Sequence, residues 1–369
     1  MLMSDSSNRL PESNGIIRDA LEADLPGIVK LQEDAGADVP IPPDVYEAIW
    51  HWLYARNPTG LRKAMLGIEP VSGRVIAHEA LLPFRIRVDG RGVTAGFICG
   101  LVVAKDYRKT LMFLTLEKRL LGEYVNAGMD VAYGALLPRM LKAHSFFGFR
   151  TLGLLPVLAR PYRITKLATH YVKSPALQGA MFPFLKAGEM ALRWRGCSYP
   201  PKVRVTRENS FSDQMDGFLT KACGGFRACA ERTAAILNWR FVGVTGRDYR
   251  IFVSRISGEV AGYMVLRPMR MMGFDTMAIV DILYPPDRAD VGKALLCIAH
   301  DETVRSQADL AVCLLSEHTP YLGALKRFGY MRTPEAFTLV AHEPQGRTRV
   351  LDETLVQGWH VTWFDHDYV

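Results

Sequence analysis

One order of elements is written into the chain twice, and that repetition constrains the fold more than any other feature. From the turn glycine Gly73 to Gly148-Phe149 is 75 residues, and from Gly258 to Gly329-Tyr330 is 71. Arg108 precedes Gly148 by 40 residues and Arg288 precedes Gly329 by 41. Trp52 lies 21 residues before its turn glycine and Trp239 lies 19 before its own. Agreement in both order and spacing points to tandem copies of one α+β unit. The 369 residues are enough for two cores of ordinary size.

The first copy centres on Gly96 to Tyr124. Gly96 to Ala104 is a short apolar run that suits a strand buried on both faces. Lys105 to Thr110 is a polar break. Phe113, Leu116, Leu120 and Tyr124 then recur at helical spacing, with Glu117, Lys118, Arg119 and Glu123 assigned to the other faces. A helix that opens directly after a buried strand aims its free N–H groups and positive dipole end at one spot, which suits a phosphate. An ordinary strand-to-helix connection has the same pattern.

Around this centre, Ile16 to Asp19 reads as a strand, Glu22 to Asp34 as a helix and Val45 to Ala55 as another. Lys63 to Glu69, Arg74 to Val88 and Thr94 to Ala104 read as antiparallel strands joined by glycine turns at Val71-Ser-Gly73 and Asp89-Gly-Arg-Gly92. Asp130 to Ala135 is a strand, Arg139 to Phe147 a helix and Arg150 to Leu155 a last strand. The second copy offers helices at Phe211 to Cys223 and Glu231 to Phe241, a hairpin turn at Ser257-Gly258, and a strand at Ala278 to Tyr284. A helix to about Arg305, a strand at Leu310 to Ser316, a helix at Tyr321 to Phe328 and a strand at Thr338 to His342 complete it.

The domain reading is therefore a loose tail over 1–15, a first unit over 16–158, a connector over 159–205, a second unit over 206–345 and a closing segment over 346–369. The connector carries one apolar helix, Ala176 to Arg193, whose apolar residues suit packing between domains better than a membrane surface. No uncharged apolar run reaches the roughly 18 residues that span a bilayer, and the polar start has no apolar signal core, so the reading is cytoplasmic. The six cysteines form no C-x-x-C pair and read as reduced, with no structural zinc. Net charge is +7; Arg193, Arg195, Lys202, Arg204 and Arg207 cluster without the interleaved aromatics of an RNA-binding motif, so no nucleic-acid partner is expected. His360, Asp365, His366 and Asp367 in the tail suggest a metal, but apolar–polar alternation from Trp359 to Phe364 reads as a closing strand, and no metal is assigned.

Strand, phosphate-type loop, helix, strand, helix and Gly-Phe in this order resemble the GNAT superfamily of acyl-CoA-dependent N-acyltransferases. Asn57-Pro-Thr-Gly60, Val103-Ala-Lys-Asp-Tyr-Arg108 and Phe147-Gly-Phe-Arg150 look like the N-terminal unit of two-domain bacterial members. Asn238-Trp-Arg-Phe241, Ala261-Gly-Tyr263 and Ile279-Val-Asp-Ile282 look like the second. The resemblance implies an α+β fold of two GNAT-like units, each a mixed, mostly antiparallel sheet flanked by helices. It also implies an acyl-CoA co-substrate, most simply acetyl-CoA, whose pyrophosphate sits on a Gln/Arg-x-x-Gly-x-Gly/Ala loop. Here the loop is Arg108-Lys109-Thr110-Leu111-Met112-Phe113, preceded by Val103; the arginine remains, and Leu111 and Phe113 fill the glycine positions. In the second copy Arg288-Ala-Asp-Val-Gly-Lys293 places its glycine one residue late and adds Asp290, which repels a pyrophosphate. The first copy is the better cofactor site.

The superfamily's usual donor to the leaving thiolate is a tyrosine four residues before the glycine of Gly-Phe. His144 holds that place in the first unit and Leu325 in the second. Histidine donates near neutral pH; a plain surface histidine is the alternative. Tyr133 is a second candidate donor. For the base, Glu79 and His78 adjoin on one strand and point to opposite faces, so only one meets the cleft. Asp281 holds the comparable site in the second unit; a lone carboxylate in an apolar strand has a raised pKa, unless it is a structural group bonded to backbone or to an arginine across the domain interface. The implied activity is N-acyl transfer to a primary amine of a small molecule or sugar. The competing reading is a non-catalytic CoA-binding or scaffold module, favoured by the missing loop glycines. Acceptor, acyl length, active unit and oligomeric state are not legible.

Overall fold

A computed structural model describes residues 15–36, 41–194, 197–271, 273–344, 346 and 349–366. The tail expected over 1–15 lies, Gly15 apart, outside the described residues, as does Asp367. The chain forms two compact units. The first holds the residues up to Ile86, Gly92–Thr151 and Val340–Val350; the second holds Arg87–Arg91, Leu152–Leu339 and Leu351 onward.

In the first unit, β1 (Ile16–Asp19) is followed by α1 (Leu25–Ala35) and by α2 (Pro43–Trp50), which continues into a wider turn over His51–Ala55. Three long strands follow: β2 (Lys63–Ile68), β3 (Val75–Val88) and β4 (Arg91–Val103). Asp89 and Gly90 both take positive φ, 44° and 83°, which is the backbone that a two-residue hairpin turn needs and that Asp-Gly supplies. Then come α3 (Met112–Glu123), β5 (Val131–Leu136) and α4 (Pro138–Phe146). The strand order is β1-β2-β3-β4-β5. β1–β2 and β2–β3 pair antiparallel, while β4 and β5 pair parallel, Ala95–Phe97 against Val131–Tyr133. α3 turns Met112, Leu116, Leu120 and the following Tyr124 into the core, all at zero exposure, as their spacing requires.

The second unit begins with most of β6 (Arg150–Pro161), then α5 (Ile164–Tyr171) and α6 (Pro175–Trp194). The second copy follows as β7 (Arg204–Glu208), α7 (Asp216–Cys223), β8 (Ala228–Ala230), α8 (Ala234–Phe241), β9 (Arg250–Ile256), β10 (Glu259–Met271) and β11 (Phe274–Leu283). It ends with α9 (Ala289–Arg305), β12 (Leu310–Leu314), α10 (Leu322–Arg327), β13 (Met331–His342) and β14 (Trp359–His360). Antiparallel β7–β9–β10–β11 and parallel β11–β12 reproduce the pattern of the first unit. Two tandem GNAT-like units, each a mixed sheet with flanking helices, are present as the resemblance implies. Arg108 and Arg288 stand at equivalent places, each five residues beyond its strand, which end at Val103 and Leu283.

The boundaries at 158 and 345 do not coincide with the compact units, because the last strands are exchanged. β6 closes the first copy in sequence, yet its residues Val157–Pro161 pair with β12 of the second unit. β13 closes the second copy, yet Val340–His342 belong to the first unit, where β13 is the neighbour of β5. The tail also differs from expectation: only Trp359 and His360 are strand, paired parallel with β8, and Trp363–Asp365 is a helical turn. Among the described residues no helix is long and apolar enough to cross a membrane.

Candidate functional site

The loop between β4 and α3 is basic and partly self-satisfied. Arg108 and Lys109 are exposed. The Arg108 guanidinium donates from Nε to the Val103 carbonyl at 3.1 Å and from Nη2 to the Ala35 carbonyl at 3.2 Å, which fixes it beside the strand end. Of the amides expected to hold a pyrophosphate, that of Thr110 donates to Tyr107 O at 3.1 Å, and that of Met112 donates to the Thr110 hydroxyl at 3.1 Å. Thr110 thus caps α3 internally. The first-turn amides of Leu111 and Phe113 keep the helix-end geometry that suits an anion. Leu111 and Phe113 are half-buried, so their side chains narrow the approach that glycines would leave open.

In the second unit the equivalent helix end is neutralised. Arg288 donates twice to Asp290, at 3.0 and 2.8 Å. Gly292 serves packing, since a Cβ there would stand 2.5 Å from the Tyr284 ring.

Beneath the first turn of α3 lies a buried group that spacing alone does not reveal. Glu79 on β3, Glu117 on α3 and His144 on α4 each present an atom within 4.8 Å of the other two, and all three are at most 1% exposed. His144 is therefore no surface histidine. Its ring lies 5.7 Å from Phe113 and 5.5 Å from Phe149, centroid to centroid. Nδ1–H donates to the Met140 carbonyl at 3.0 Å, and Nε2 faces the Glu117 carboxylate at 4.0 Å. Because a carbonyl only accepts, the proton belongs on Nδ1, and Nε2 is the atom left to exchange protons or bind a cation. Two carboxylates and one imidazole nitrogen form a donor set a divalent cation would use.

Among the described residues no lysine or arginine pairs with either carboxyl. Burial first, and then the facing Glu117 carboxylate, push Glu79 well above the ordinary carboxylate range. Glu79 thus keeps its proton where an exposed glutamate has lost it. The sign for stability follows: a raised folded pKa contributes fully below the ordinary value near 4.5, and that contribution is lost as pH rises through the folded value. Glu79→Gln, neutral at every pH, should flatten this decline in melting temperature with rising pH. Identical pH slopes for the two proteins would show that Glu79 holds no such proton.

Helical spacing alone sets Glu117 on an outer face of α3, yet it is fully buried. The signal was there: Phe113, Glu117, Leu120 and Tyr124 form one i, i+4, i+7, i+11 stripe. His78, on the opposite face of β3 from Glu79, is also buried and bonds Gly100 O through Nδ1 at 2.7 Å; burial lowers its pKa. Tyr133 is buried on β5 with its ring edge-on to Phe97 at 5.2 Å.

Of the two readings of Asp281, the structural, arginine-bonded carboxylate is the one present, not the lone group of raised pKa. It lies buried against Arg232, whose Nε and Nη2 donate at 3.0 and 3.2 Å, and accepts further bonds from Tyr263 Oη at 2.5 Å and Thr362 Oγ1 at 2.8 Å. Burial works to raise its pKa, but the Arg232 charge and these donors outweigh it and hold Asp281 below its ordinary value. The partner arginine comes from the same unit, not from across a domain interface. Burial drives His360, 3.9 Å away, down to about 3 and Asp365 up to about 6, so these tail residues belong to one interior polar cluster. Two cavities of about 190 and 350 Å³ occur in the second unit, and neither is lined by the loop or by the buried triad.

A mixed sheet whose parallel β4–β5 pair brackets a basic helix N-terminus is the fold that the resemblance implies. Residues 16–151 match the acetyltransferase (GNAT) domain. Residues 16–151 thus resemble that family in sequence, and the whole chain has a GNAT-like fold in tandem. Solved structures agree at the level of fold. A GCN5-related N-acetyltransferase from Anabaena variabilis aligns with TM-score 0.60 at 12% identity, over 89% of this chain and 72% of that one. A probable N-acyltransferase from Enterococcus faecalis gives 0.60 at 11%, over 93% and 74%. Saccharomyces cerevisiae N-myristoyltransferase with bound myristoyl-CoA gives 0.62 at 12%, over 94% and 82%. No curated protein matches the sequence.

Proposed function

We propose that this chain transfers an acyl group from acyl-CoA, with acetyl-CoA the simplest donor, to a primary amine of a small molecule or amino sugar. The amine nitrogen attacks the thioester carbonyl, the carbon–sulfur bond breaks, and the proton lost by the amine is matched by one delivered to the departing thiolate. The observation that carries this reading is the basic N-terminus of α3 joined, through the Phe113 ring, to the buried Glu79–Glu117–His144 group. The helix end and Arg108 would hold the pyrophosphate; the buried group would hold and move the proton.

Reversing the charge at Arg108 tests the first half. Arg108→Glu should weaken CoA binding, read by calorimetry, by about 1–3 kcal/mol, the scale of a charge-assisted hydrogen bond. Unchanged affinity in a folded variant would move the cofactor elsewhere. A second reading has its own support, since Thr110 already occupies one helix-end amide and Leu111 and Phe113 fill the glycine positions: a module that binds CoA without chemistry. Binding of acetyl-CoA with no thioester turnover across a panel of amines would favour that module.

A further inference from the structure

α5 and α6 form a helical hairpin whose outer face has no counterpart among the globular parts of the unit. α6 is 20 residues long, about 30 Å at helical rise. One side meets α5, where buried Glu189 accepts the Thr165 N–H at 2.8 Å and Lys186 Nζ at 2.9 Å. The other side presents Leu177, Ala180, Pro183, Phe184, Ala187 and Ala191, all exposed and all apolar, at the three-and-four spacing of a single helix face. Phe184 is 79% exposed, and Phe182, two residues before it and so on another side of the helix, is 54% exposed. The apolar residues expected to be covered by packing are therefore bare.

Charge supplies the second observation. From Arg160 to Arg207 there are ten Lys and Arg residues and one acid, Glu189, against 45 and 38 in the whole chain, so elsewhere acids outnumber cations. That single acid is turned inward; Arg160 is buried and Arg163 and Lys166 pair with Asp309, which leaves Lys173, Lys202, Arg204 and Arg207 among the exposed cations. A bare apolar face inside a strongly cationic stretch matches an anionic amphiphilic surface, not a neutral protein groove. The third observation is a cavity of about 350 Å³ immediately under α5, lined by Leu167 and Tyr171 with Val157, Phe274, Val312 and Met331. Its size and apolar walls fall in the range of a small-molecule or acyl-chain pocket.

We propose that the α5–α6 hairpin seats this protein on an anionic lipid membrane, lying on the surface without crossing it, with the cavity under α5 open to a lipid chain. A surface-lying α6 is consistent with a helix that is amphipathic but too weakly apolar to span. Seating of this kind would bring a membrane-borne substrate to the chain, although the proposal stands independently of the acyl-transfer reading.

The test is flotation of the full chain with vesicles of phosphatidylcholine alone or mixed with phosphatidylglycerol, at low and high salt. The chain should float with the anionic vesicles, less so at high salt. The exposed pair Phe182→Ser with Phe184→Ser should reduce partitioning by about tenfold or more, with an unchanged melting temperature and unchanged acetyl-CoA binding. Lys173→Glu, also exposed, should weaken it to a lesser degree. Absence of flotation on anionic vesicles, or equal flotation of the wild type and the double variant, would overturn the proposal. So would sedimentation showing a dimer of the wild type that the double variant loses while neither protein floats, because the face would then be a contact between copies.

Discussion

Replacing His144 with alanine should lower kcat by about 10²–10⁴, the contribution of a general acid, and leave CoA affinity nearly unaltered. Position and geometry agree on the role of His144. The ring stands four residues before Gly148, its Nδ1 is tied to Met140 O, and its Nε2 points at the carboxylates of Glu117 and Glu79. Nε2, left without a proton by the Nδ1–H bond, can thus take one from a glutamic acid that burial keeps protonated before passing it on. Alanine removes the relay and opens a small void, whereas His144→Gln fills much of the space without titrating. Both should lose kcat alike if the role is proton transfer. A merely structural histidine would instead show recovery in the glutamine variant. Activity within a factor of a few of wild type in His144→Ala would assign the chemistry to Tyr133 or to water.

Removing the Arg232 side chain should produce the largest loss of stability, about 3–5 kcal/mol for Arg232→Met, because it strands a buried carboxylate. Arg232 and Asp281 both have zero side-chain exposure. The guanidinium also donates to Ala230 O at 2.9 Å and lies 4.3 Å from the centre of the Phe364 ring. The pH dependence gives a sharper readout than the size of the loss. In the wild type Asp281 has a depressed pKa, so its contribution is present above the ordinary value near 3.8 and is lost as pH falls through the folded value. Without Arg232 only the neutral Tyr263 and Thr362 donors oppose burial, the sign reverses, and the variant should gain stability relative to wild type on acidification. Adding Asp281→Asn to Arg232→Met should recover part of the loss. A single-variant loss below about 1 kcal/mol, the scale of an exposed pair, would show that the cluster is solvated.

Much of the architecture was legible because helices and strands bury one face, and burial leaves a period in the sequence. The strands around Asp89-Gly90, the helix after Thr110 and the equivalence of Arg108 with Arg288 all follow from local pattern and turn chemistry. The same reasoning misplaced Glu117, since a carboxylate in an amphipathic helix reads as solvent-facing, and only a facing partner makes its burial tolerable. For Asp281 two readings stay open in the sequence, because an isolated acid in an apolar strand is indistinguishable, in one dimension, from an acid paired with Arg232, 49 residues away.

The chain's own order of residues determined two copies of one unit, a basic strand–loop–helix in the first and a self-neutralised one in the second. Tertiary structure alone decided that β6 pairs with β12 and that the end of β13 joins the first unit, that Glu79, Glu117 and His144 meet in one buried spot, and that the outer face of α6 stays bare. The reason is physical: periodicity records which side of an element is turned inward, whereas the partner waiting there is chosen by contacts between residues far apart in the chain.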